Sequence, residues 1–260
     1  MRIQNANERY AAKQQDLKCH CITGGYHAII TPAHKKHNEN GGGYIMKRHA
    51  FAMKIKEGMG GEYRARLGKI WNDLTEVLDM AGICNFSVWN VENILFGYCE
   101  TDSDYEIEAE EKEKLETYDR FLGETYDWIS TPWQSMRLMY HDFGIVRSNK
   151  EMIRHRVFIT KLVPGSEEEY KRRHDALVDA REGKVDPGPD SNFSIWNAGG
   201  YIFGYNEIDT SMEHPMTEEE KESTIAWEKN MLGIMSWLTD DVDWITGEHH
   251  QHIVRVCYHE

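Results

Sequence analysis

The stretch Asn85–Asn90, with the sequence NFSVWN, returns as NFSIWN at Asn192–Asn197. The segments that follow them in the chain also match, because FGYCETD at Phe96–Asp102 corresponds to FGYNEID at Phe203–Asp209. Both pairs have the same offset, since 192 − 85 = 107 and 203 − 96 = 107. A repeat of this length exceeds the period of a solenoid unit, which reaches roughly 50 residues. The sequence therefore predicts two tandem copies of one domain.

Each copy shows the same order of predicted elements: a strand, a helix, a two-stranded hairpin, a second helix and a final strand. In the first copy, apolar residues alternate over His49–Ile55, recur at helical spacing over residues 62–80, and alternate again over Met136–Tyr140. In the second copy, the run TEEE at Thr217–Glu220 predicts a capping box at the start of the second helix. The order β-α-β-β-α-β is that of the ferredoxin-like, split βαβ motif.

Such a domain covers one face of its sheet with helices and leaves the other bare, and a bare apolar face must be buried. We therefore predict an α+β protein in which two ferredoxin-like domains pack sheet to sheet, as a dimeric α+β barrel and a pseudo-dimer within one chain. The predicted boundaries are an N-terminal extension over residues 1–45, a first domain over 46–146 and a second domain over 150–260.

The N-terminal extension holds Cys19, His20 and Cys21 and ends near three consecutive glycines at positions 41–43. Zinc-binding cysteines are usually separated by two to four residues, and this cluster does not fit that spacing. No metal site is therefore predicted. We expect the extension to pack against a domain or to pair with a neighbouring chain.

Composition narrows the choice of partner. The net charge of −14, from 44 acidic and 30 basic residues, argues against nucleic acid as a ligand. The chain has no apolar run of about 18 residues for a membrane span, and its N-terminus does not resemble a signal peptide. The 5 cysteines show no disulfide framework, which favours reduced thiols and a cytoplasmic location. A small neutral molecule is the favoured partner, and further homo-oligomerisation stays open.

The first copy resembles the L-rhamnose mutarotase family in the segments KRHAFAM at Lys47–Met53, EYRAR at Glu62–Arg66 and NFSVW at Asn85–Trp89. The second copy matches most clearly in EEYKRRH at Glu168–His174. The resemblance covers roughly residues 46–260. It implies an isomerase that interconverts the α and β anomers of a free sugar, with L-rhamnose as the named substrate and no cofactor.

The resemblance also implies site residues. The proton-donating histidine of the family falls on His174, and a substrate-contacting tyrosine falls on Tyr170. The first copy has Leu67 at the histidine position, so we expect a working site only in the second copy. The other implied substrate-binding positions are Phe193, Trp196, Met235 and Trp237 in the second copy, and Tyr63, Phe86, Trp89 and Tyr126 in the first.

Two of these positions bear on specificity. The family has a tyrosine where this chain has Phe86 and Phe193, so one hydroxyl is missing from each pocket. The expected substrate is a neutral 6-deoxy hexose, and the missing hydroxyls favour a preference that is shifted away from L-rhamnose to a close relative such as L-fucose. Mutarotation opens and recloses the sugar ring, which needs one base and one acid, and histidine suits either role near neutral pH.

The residues leave several alternatives open. His174 could be a solvated helix residue, and the repeated Trp89 and Trp196 could be either core residues or platforms for a sugar ring. On the second hairpin, Asn192, Ser194 and Trp196 share one face while Phe193 and Ile195 share the other, and the sequence does not decide which face meets the site. As whole functions, a non-catalytic sugar-binding or regulatory protein and a dimeric-barrel oxygenase remain, the latter by fold analogy alone.

Overall fold

The structure is a computed structural model that describes residues 46–102, 107–147, 149–239, 245–247 and 252–260. The predicted N-terminal extension, with its Cys-His-Cys cluster, lies outside the described residues. Within them, no helix combines the length and the apolar character that crossing a membrane requires.

Both copies contain the predicted elements, and each adds one short strand after its second helix. The first copy consists of β1 (Met46–Ile55), α1 (Gly60–Met80), β2 (Ile83–Val91), β3 (Ile94–Asp102), α2 (Ala109–Gly123), β4 (Tyr126–Trp128) and β5 (Arg137–Gly144). The second copy consists of β6 (Ile153–Leu162), α3 (Glu167–Ala180), β7 (Asp190–Ala198), β8 (Tyr201–Asp209), α4 (Glu218–Met231), β9 (Met235–Thr239) and β10 (Val254–His259).

The two copies exchange their last strands. One sheet has the order β10-β2-β3-β1-β4 and the other the order β5-β7-β8-β6-β9. Strand β5 of the first copy thus pairs with β7, and β10 of the second copy pairs with β2. The predicted domain boundaries at 146 and 150 stay a prediction, but a cut between them would separate each sheet from one of its edge strands.

The two sheets pack face to face, which confirms the predicted pseudo-dimer. Their shared layer contains Phe96 stacked on Phe203, with ring centroids 5.2 Å apart, and Tyr98 stacked on Tyr205 at 3.8 Å. Each pair joins residues that are equivalent in the repeat. The buried core between the sheets is completed by Ala50, Ala52, Trp89, Val91, Ile94, Met136, Val157, Ile159 and Trp196.

The opposite face of each sheet is covered by the helices of one copy. The first helix-facing cluster includes Tyr63, Leu67 and Tyr126, and the second includes Tyr170, Ile195 and Met235. Helix α4 begins with the predicted capping box: the Thr217 side chain accepts from the Glu220 N–H, and the Glu220 side chain reaches back to the Thr217 N–H. Of the predicted site residues, Tyr63, Tyr126, Tyr170 and Met235 therefore lie in the layers between helices and sheet.

Each central strand pair has a phenylalanine ring lying over a glycine. Phe51 is opposite Gly97, and Phe158 is opposite Gly204. A Cβ atom on Gly204 would lie 2.1 Å from a ring carbon of the buried Phe158. Replacing Gly204 with alanine should therefore lower the free energy of unfolding by about 1–3 kcal/mol, the usual cost of overpacking. Denaturant titration of both proteins measures this difference.

The matched control is Gly68→Ala in the exposed part of α1. A Cβ there meets no atom within 4 Å, so this variant should be up to about 1 kcal/mol more stable, as expected for alanine in a helix interior. Equal stability of Gly204→Ala and the parent chain would show that the Phe158 ring can move aside freely.

Candidate functional site

Helix α3 carries Tyr170 and His174 one turn apart on the face that it buries. Three glutamates in its first turn, Glu167–Glu169, favour the helix start because negative charge stabilises the positive end of the helix dipole. Glu169 pairs with the exposed Arg172 and with Arg173, which is partly buried and also donates to Asn230. His174, in contrast, is only 4% exposed, so it is not the solvated residue that its charged neighbours in sequence allow.

The tautomer of His174 follows from its contact with the helix backbone. Its Nδ1 lies 3.0 Å from the carbonyl oxygen of Tyr170. A carbonyl oxygen can only accept a hydrogen bond, so Nδ1 carries the proton, and Nε2 of the neutral ring carries a lone pair. Burial lowers the pKa of His174 to about 4, and the Tyr170 carbonyl and Asp175 oppose this shift only in part. At neutral pH the imidazole is therefore a proton acceptor.

Three aromatic rings surround this imidazole. Tyr170 stacks on it with centroids 4.3 Å apart, Tyr140 lies at 5.2 Å, and Trp227 of α4 meets it at 5.1 Å with the ring planes at 89°. Trp227 also lines an outer groove of about 460 Å³ between α3 and α4, together with Leu177 and Asn230. The histidine thus lies under an aromatic cover next to a groove that opens between the helices.

Tyr140 also lies beside His174, although the sequence pattern did not identify it as a candidate site residue. It lies on the exchanged strand β5, where it pairs with Ile195. Its hydroxyl accepts a hydrogen bond from Arg181, whose guanidinium also forms an ion pair with Asp142. The endings Tyr140–Asp142 and Tyr258–Glu260 (YHD and YHE) are similar in sequence, but this similarity does not indicate that the strand pairs with the other sheet.

The strand pairing does not place Tyr140 and Tyr258 at equivalent positions, although the sequences of the two endings match. Tyr140 is opposite Ile195, whereas the residue opposite the equivalent Val88 is Cys257, not Tyr258. A shift of one residue places a side chain on the other face of a sheet. Cys257 therefore takes the place of Tyr140 in the first copy, and Tyr258 instead lies beside His155, at 5.4 Å between ring centroids.

Among the predicted site residues of the second copy, Phe193, Met235 and Trp237 lie in the same layer as His174. Phe193 is 5.5 Å from Tyr140 and 6.3 Å from Phe158, measured between ring centroids. Trp237 lies 5.6 Å from Phe158, and its Nε1 donates to a carboxylate oxygen of the buried Glu228 at 2.8 Å. The structure therefore brings these three into the apolar cluster that contains Tyr170, on the same side of the sheet as the histidine.

Trp89 and Trp196 lie on the opposite sheet face, in the layer between the two sheets. Each indole N–H donates to a serine two residues earlier, Ser87 or Ser194, at 3.0 Å. These contacts decide which face of the second hairpin meets the helices. Phe193 and its neighbour Ile195 face the helices, while Trp196 faces the other sheet. Neither tryptophan belongs to the cluster around His174, and their predicted contact with sugar stays a prediction.

The first copy has an equivalent layer between its helices and its sheet, but this layer lacks a histidine at the position of His174. Leu67 and Tyr63 are buried in its helix-facing cluster, and Phe86 packs against that cluster. Tyr126 meets Tyr63 edge to face at 6.2 Å, and its hydroxyl donates to Asp119. A larger groove of about 740 Å³ also lies in this copy, lined by residues such as Lys54, Arg64 and Asn93, but it contains none of the predicted site residues.

The part of the chain that the structure describes contains no three His, Cys, Asp or Glu side chains placed to share a metal ion. Its chemistry in the second copy consists of a neutral imidazole, a tyrosine hydroxyl held by an arginine, and aromatic walls. Such a set can take a proton, give a proton and cover the apolar face of a small ring.

Two solved structures show a loose likeness to this chain. A putative monooxygenase from Fusobacterium nucleatum aligns with 83% of this chain and 92% of its own at a TM-score of 0.37 and 7% identity. An anthrone oxidase-like protein aligns with 82% of this chain and 90% of its own at a TM-score of 0.37 and 11% identity. At these TM-scores the likeness carries no argument about function.

Sequence comparison is more specific. A protein named L-rhamnose mutarotase from Flavobacterium johnsoniae is 41% identical over 61 residues, which cover 23% of this chain and 57% of that protein. Proteins of the same name from Mesorhizobium japonicum and Bacteroides thetaiotaomicron are 43% and 39% identical over 20% and 23% of this chain. The chain spans 50% and 59% of the length of those two relatives.

The family model for L-rhamnose mutarotase matches twice, at residues 48–141 and 155–256. These two segments correspond to the two copies of the repeat and together make up most of the chain. The chain therefore belongs to the L-rhamnose mutarotase family, and it contains the family's domain as a tandem duplication.

Proposed function

We propose that the second copy interconverts the α and β anomers of a free hexose, with His174 as the residue that takes and returns the proton. One observation carries this proposal: a neutral, buried imidazole whose Nδ1 is bound to a backbone carbonyl, which directs its chemistry to Nε2. Membership of the mutarotase family supplies the reaction class.

Ring opening begins when Nε2 of His174 accepts the proton of the anomeric hydroxyl. The bond between C1 and the ring oxygen breaks as the carbonyl forms, and the ring oxygen gains a proton. Rotation of the free aldehyde then presents its other face, and closure with return of the protons gives the other anomer. The reaction needs one base and one acid, and general acid–base help of this kind typically contributes roughly 10²–10⁴-fold.

The substrate we propose is a neutral, unphosphorylated 6-deoxy hexose such as L-rhamnose or L-fucose, encountered in the cytoplasm. Aromatic walls such as Tyr140, Phe193 and Trp227 can cover the apolar C–H face and the methyl group of such a sugar. The net charge of −14 disfavours anionic sugars at long range. Phe193 offers no hydroxyl to the sugar, which favours a preference for a sugar that differs from L-rhamnose at one hydroxyl.

Anomer exchange measured by two-dimensional exchange NMR tests the proposal directly. The sugars tested are L-rhamnose, L-fucose, D-glucose and D-galactose, with D-glucose 6-phosphate as the anionic sugar. L-rhamnose 1-phosphate is excluded because its anomeric centre is blocked. We expect the purified chain to accelerate exchange of at least one 6-deoxy hexose over buffer. Acceleration of the sugar phosphate above every free sugar, or of no sugar at all, would contradict the proposal.

The pH dependence of the reaction should report the buried histidine. Only the neutral imidazole can accept the anomeric proton, and burial lowers its pKa to about 4 from the ordinary 6.5. As pH falls, kcat/KM should therefore stay level through 6.5 and decline only as pH approaches 4. Polarimetric rates corrected for the uncatalysed reaction at each pH measure this profile. A decline centred near 6.5 would show that solvent reaches the ring freely.

A further inference from the structure

Strand exchange brings a residue of the first copy into the site of the second. Tyr140 on β5 lies 5.2 Å from His174 and 5.5 Å from Phe193, measured between ring centroids. It is 5% exposed, so its ring forms part of the wall around the histidine. Where the family resemblance implies a tyrosine hydroxyl, this chain has Phe193, and the adjacent strand provides a hydroxyl on Tyr140 instead.

We propose that Tyr140 is the second proton-transferring residue of this site and gives its hydroxyl proton to the ring oxygen of the sugar. The inference rests on the proposed mutarotase function and adds the missing acid to it. It also means that the active site is composite, with His174 from the second copy and Tyr140 from the first.

Arg181 and Asp142 suit Tyr140 to this role. The Arg181 guanidinium donates to the Tyr140 hydroxyl oxygen and pairs with Asp142, which fixes the guanidinium in place. Burial raises the pKa of Tyr140 above its ordinary value, and the positive charge of Arg181 opposes this shift only in part, while the negative charge of Asp142 adds to it. Arg181 is thus a positioning residue that stabilises the phenolate left behind when the proton departs.

The anomeric O–H bond breaks and its proton goes to Nε2 of His174, while the electron pair forms the C1 carbonyl. The bond from C1 to the ring oxygen breaks, and the ring oxygen takes the proton of Tyr140. Closure reverses both transfers on either face of the carbonyl. The alkoxide that would otherwise form is a stronger base than a phenolate, so the transfer from tyrosine is downhill.

The first copy provides a comparison within the same chain. It has Leu67 in place of His174 and, by strand register, Cys257 in place of Tyr140. The position equivalent to Arg181 is Leu74, since 181 − 107 = 74. Base, acid and positioning residue are all present in one copy and all replaced in the other, as expected for groups that act together.

The test is Tyr140→Phe, which removes the hydroxyl and keeps the ring. We expect kcat for anomer exchange to fall at least about 10²-fold, the lower range for losing general acid–base help, with KM within about threefold of the parent value. Tyr258→Phe is the matched control, because it lies in the same Tyr-His-acid ending on β10 but on the other sheet face. Its buried hydroxyl has no hydrogen-bond partner among the described residues, so this variant should keep the parent rate.

The remaining outcomes distinguish failure of this inference from failure of the proposed function. An unchanged kcat in Tyr140→Phe, with His174→Ala strongly impaired, would overturn this inference and leave the mutarotase function standing. A rise in KM alone would also overturn it, since Tyr140 would then only hold the sugar. A parent chain that accelerates no sugar rejects the function and the inference together.

Arg181 gives an independent measurement if Tyr140→Phe does not fold. Arg181→Gln removes the positive charge beside the phenolate, so kcat should fall while KM changes little. Arg181→Lys keeps the charge and should recover part of the lost kcat. Equal kcat in Arg181→Gln and the parent chain would contradict the proposed phenolate.

Discussion

Replacing His174 with alanine is expected to slow anomer exchange by roughly 10²–10⁴-fold, the usual contribution of general acid–base catalysis. The imidazole is the group whose Nε2 can accept the anomeric proton, and alanine offers no substitute for it. Exchange NMR at saturating sugar measures the effect on kcat. Sugar binding, followed by the fluorescence of tryptophans such as Trp227, should weaken far less than the rate falls.

Two comparisons separate catalysis from folding. His174→Ala removes a ring that packs between Tyr170 and Trp227, so its folding is checked by near-ultraviolet circular dichroism. His214→Ala serves as the control, because His214 is exposed and its Nδ1 hydrogen-bonds to the carbonyl oxygen of the neighbouring Pro215. A folded His174→Ala protein with the parent rate would remove this residue from the mechanism.

One part of the candidate site could be predicted from the sequence, because the residues of that part are close together in the chain. Tyr170 and His174 are four residues apart on one helix, and helical geometry alone puts them on one face. The same holds for the capping box at Thr217, which involves only the first turn of α4. The ferredoxin-like order likewise follows from local periodicity repeated twice.

The other part depends on contacts between distant segments. Tyr140 reaches His174 only because β5 leaves its own copy and pairs with β7. Strand alternation identified the two possible faces of β7 but not their orientation, which is settled by tertiary packing. A left-handed residue, Asn192 with φ of 54°, interrupts the β7–β8 register between Ser191 and Ser194 and contributes to how this strand presents its side chains.

The residues of the two helix-facing layers differ between the copies, whereas the layer between the sheets contains identical residues at equivalent positions. Phe96, Tyr98 and Glu100 have identical counterparts at Phe203, Tyr205 and Glu207, and the equivalent rings stack on each other. These equivalent residues join the two sheets of the chain.

A buried polar cluster lies in this layer, next to the stacked Tyr98 and Tyr205. The side-chain amides of Asn85 and Asn192 each donate to both carboxylates, with Asn85 at 3.1 Å from Glu100 and 2.8 Å from Glu207. Lys150 donates to the second carboxylate oxygen of Glu207 at 2.6 Å. Burial alone would raise the pKa of Glu207, but Lys150 and the amide donors outweigh it and leave that pKa below its ordinary value.

Replacing Glu207 with leucine is expected to lower the free energy of unfolding by about 3–5 kcal/mol, the typical cost of removing one partner from a buried ion pair. The side chain is fully buried, and its loss removes the carboxylate that pairs with Lys150 and one of the two acceptors of each amide, Asn85 and Asn192. Urea titration at pH 7 measures the loss against the exposed Glu222→Leu, which should match the parent chain.

The pH dependence of this difference is the sharper check on the carboxylate. Because its folded pKa lies below the ordinary 4.5, Glu207 contributes stability that is complete above pH 4.5 and is lost as pH falls through the folded pKa. The gap between the parent chain and Glu207→Leu should therefore be constant from pH 7 to about pH 5 and shrink below 4.5. A gap that stays the same down to the acid limit would mean that packing, not the ionised carboxylate, joins the two sheets at this point.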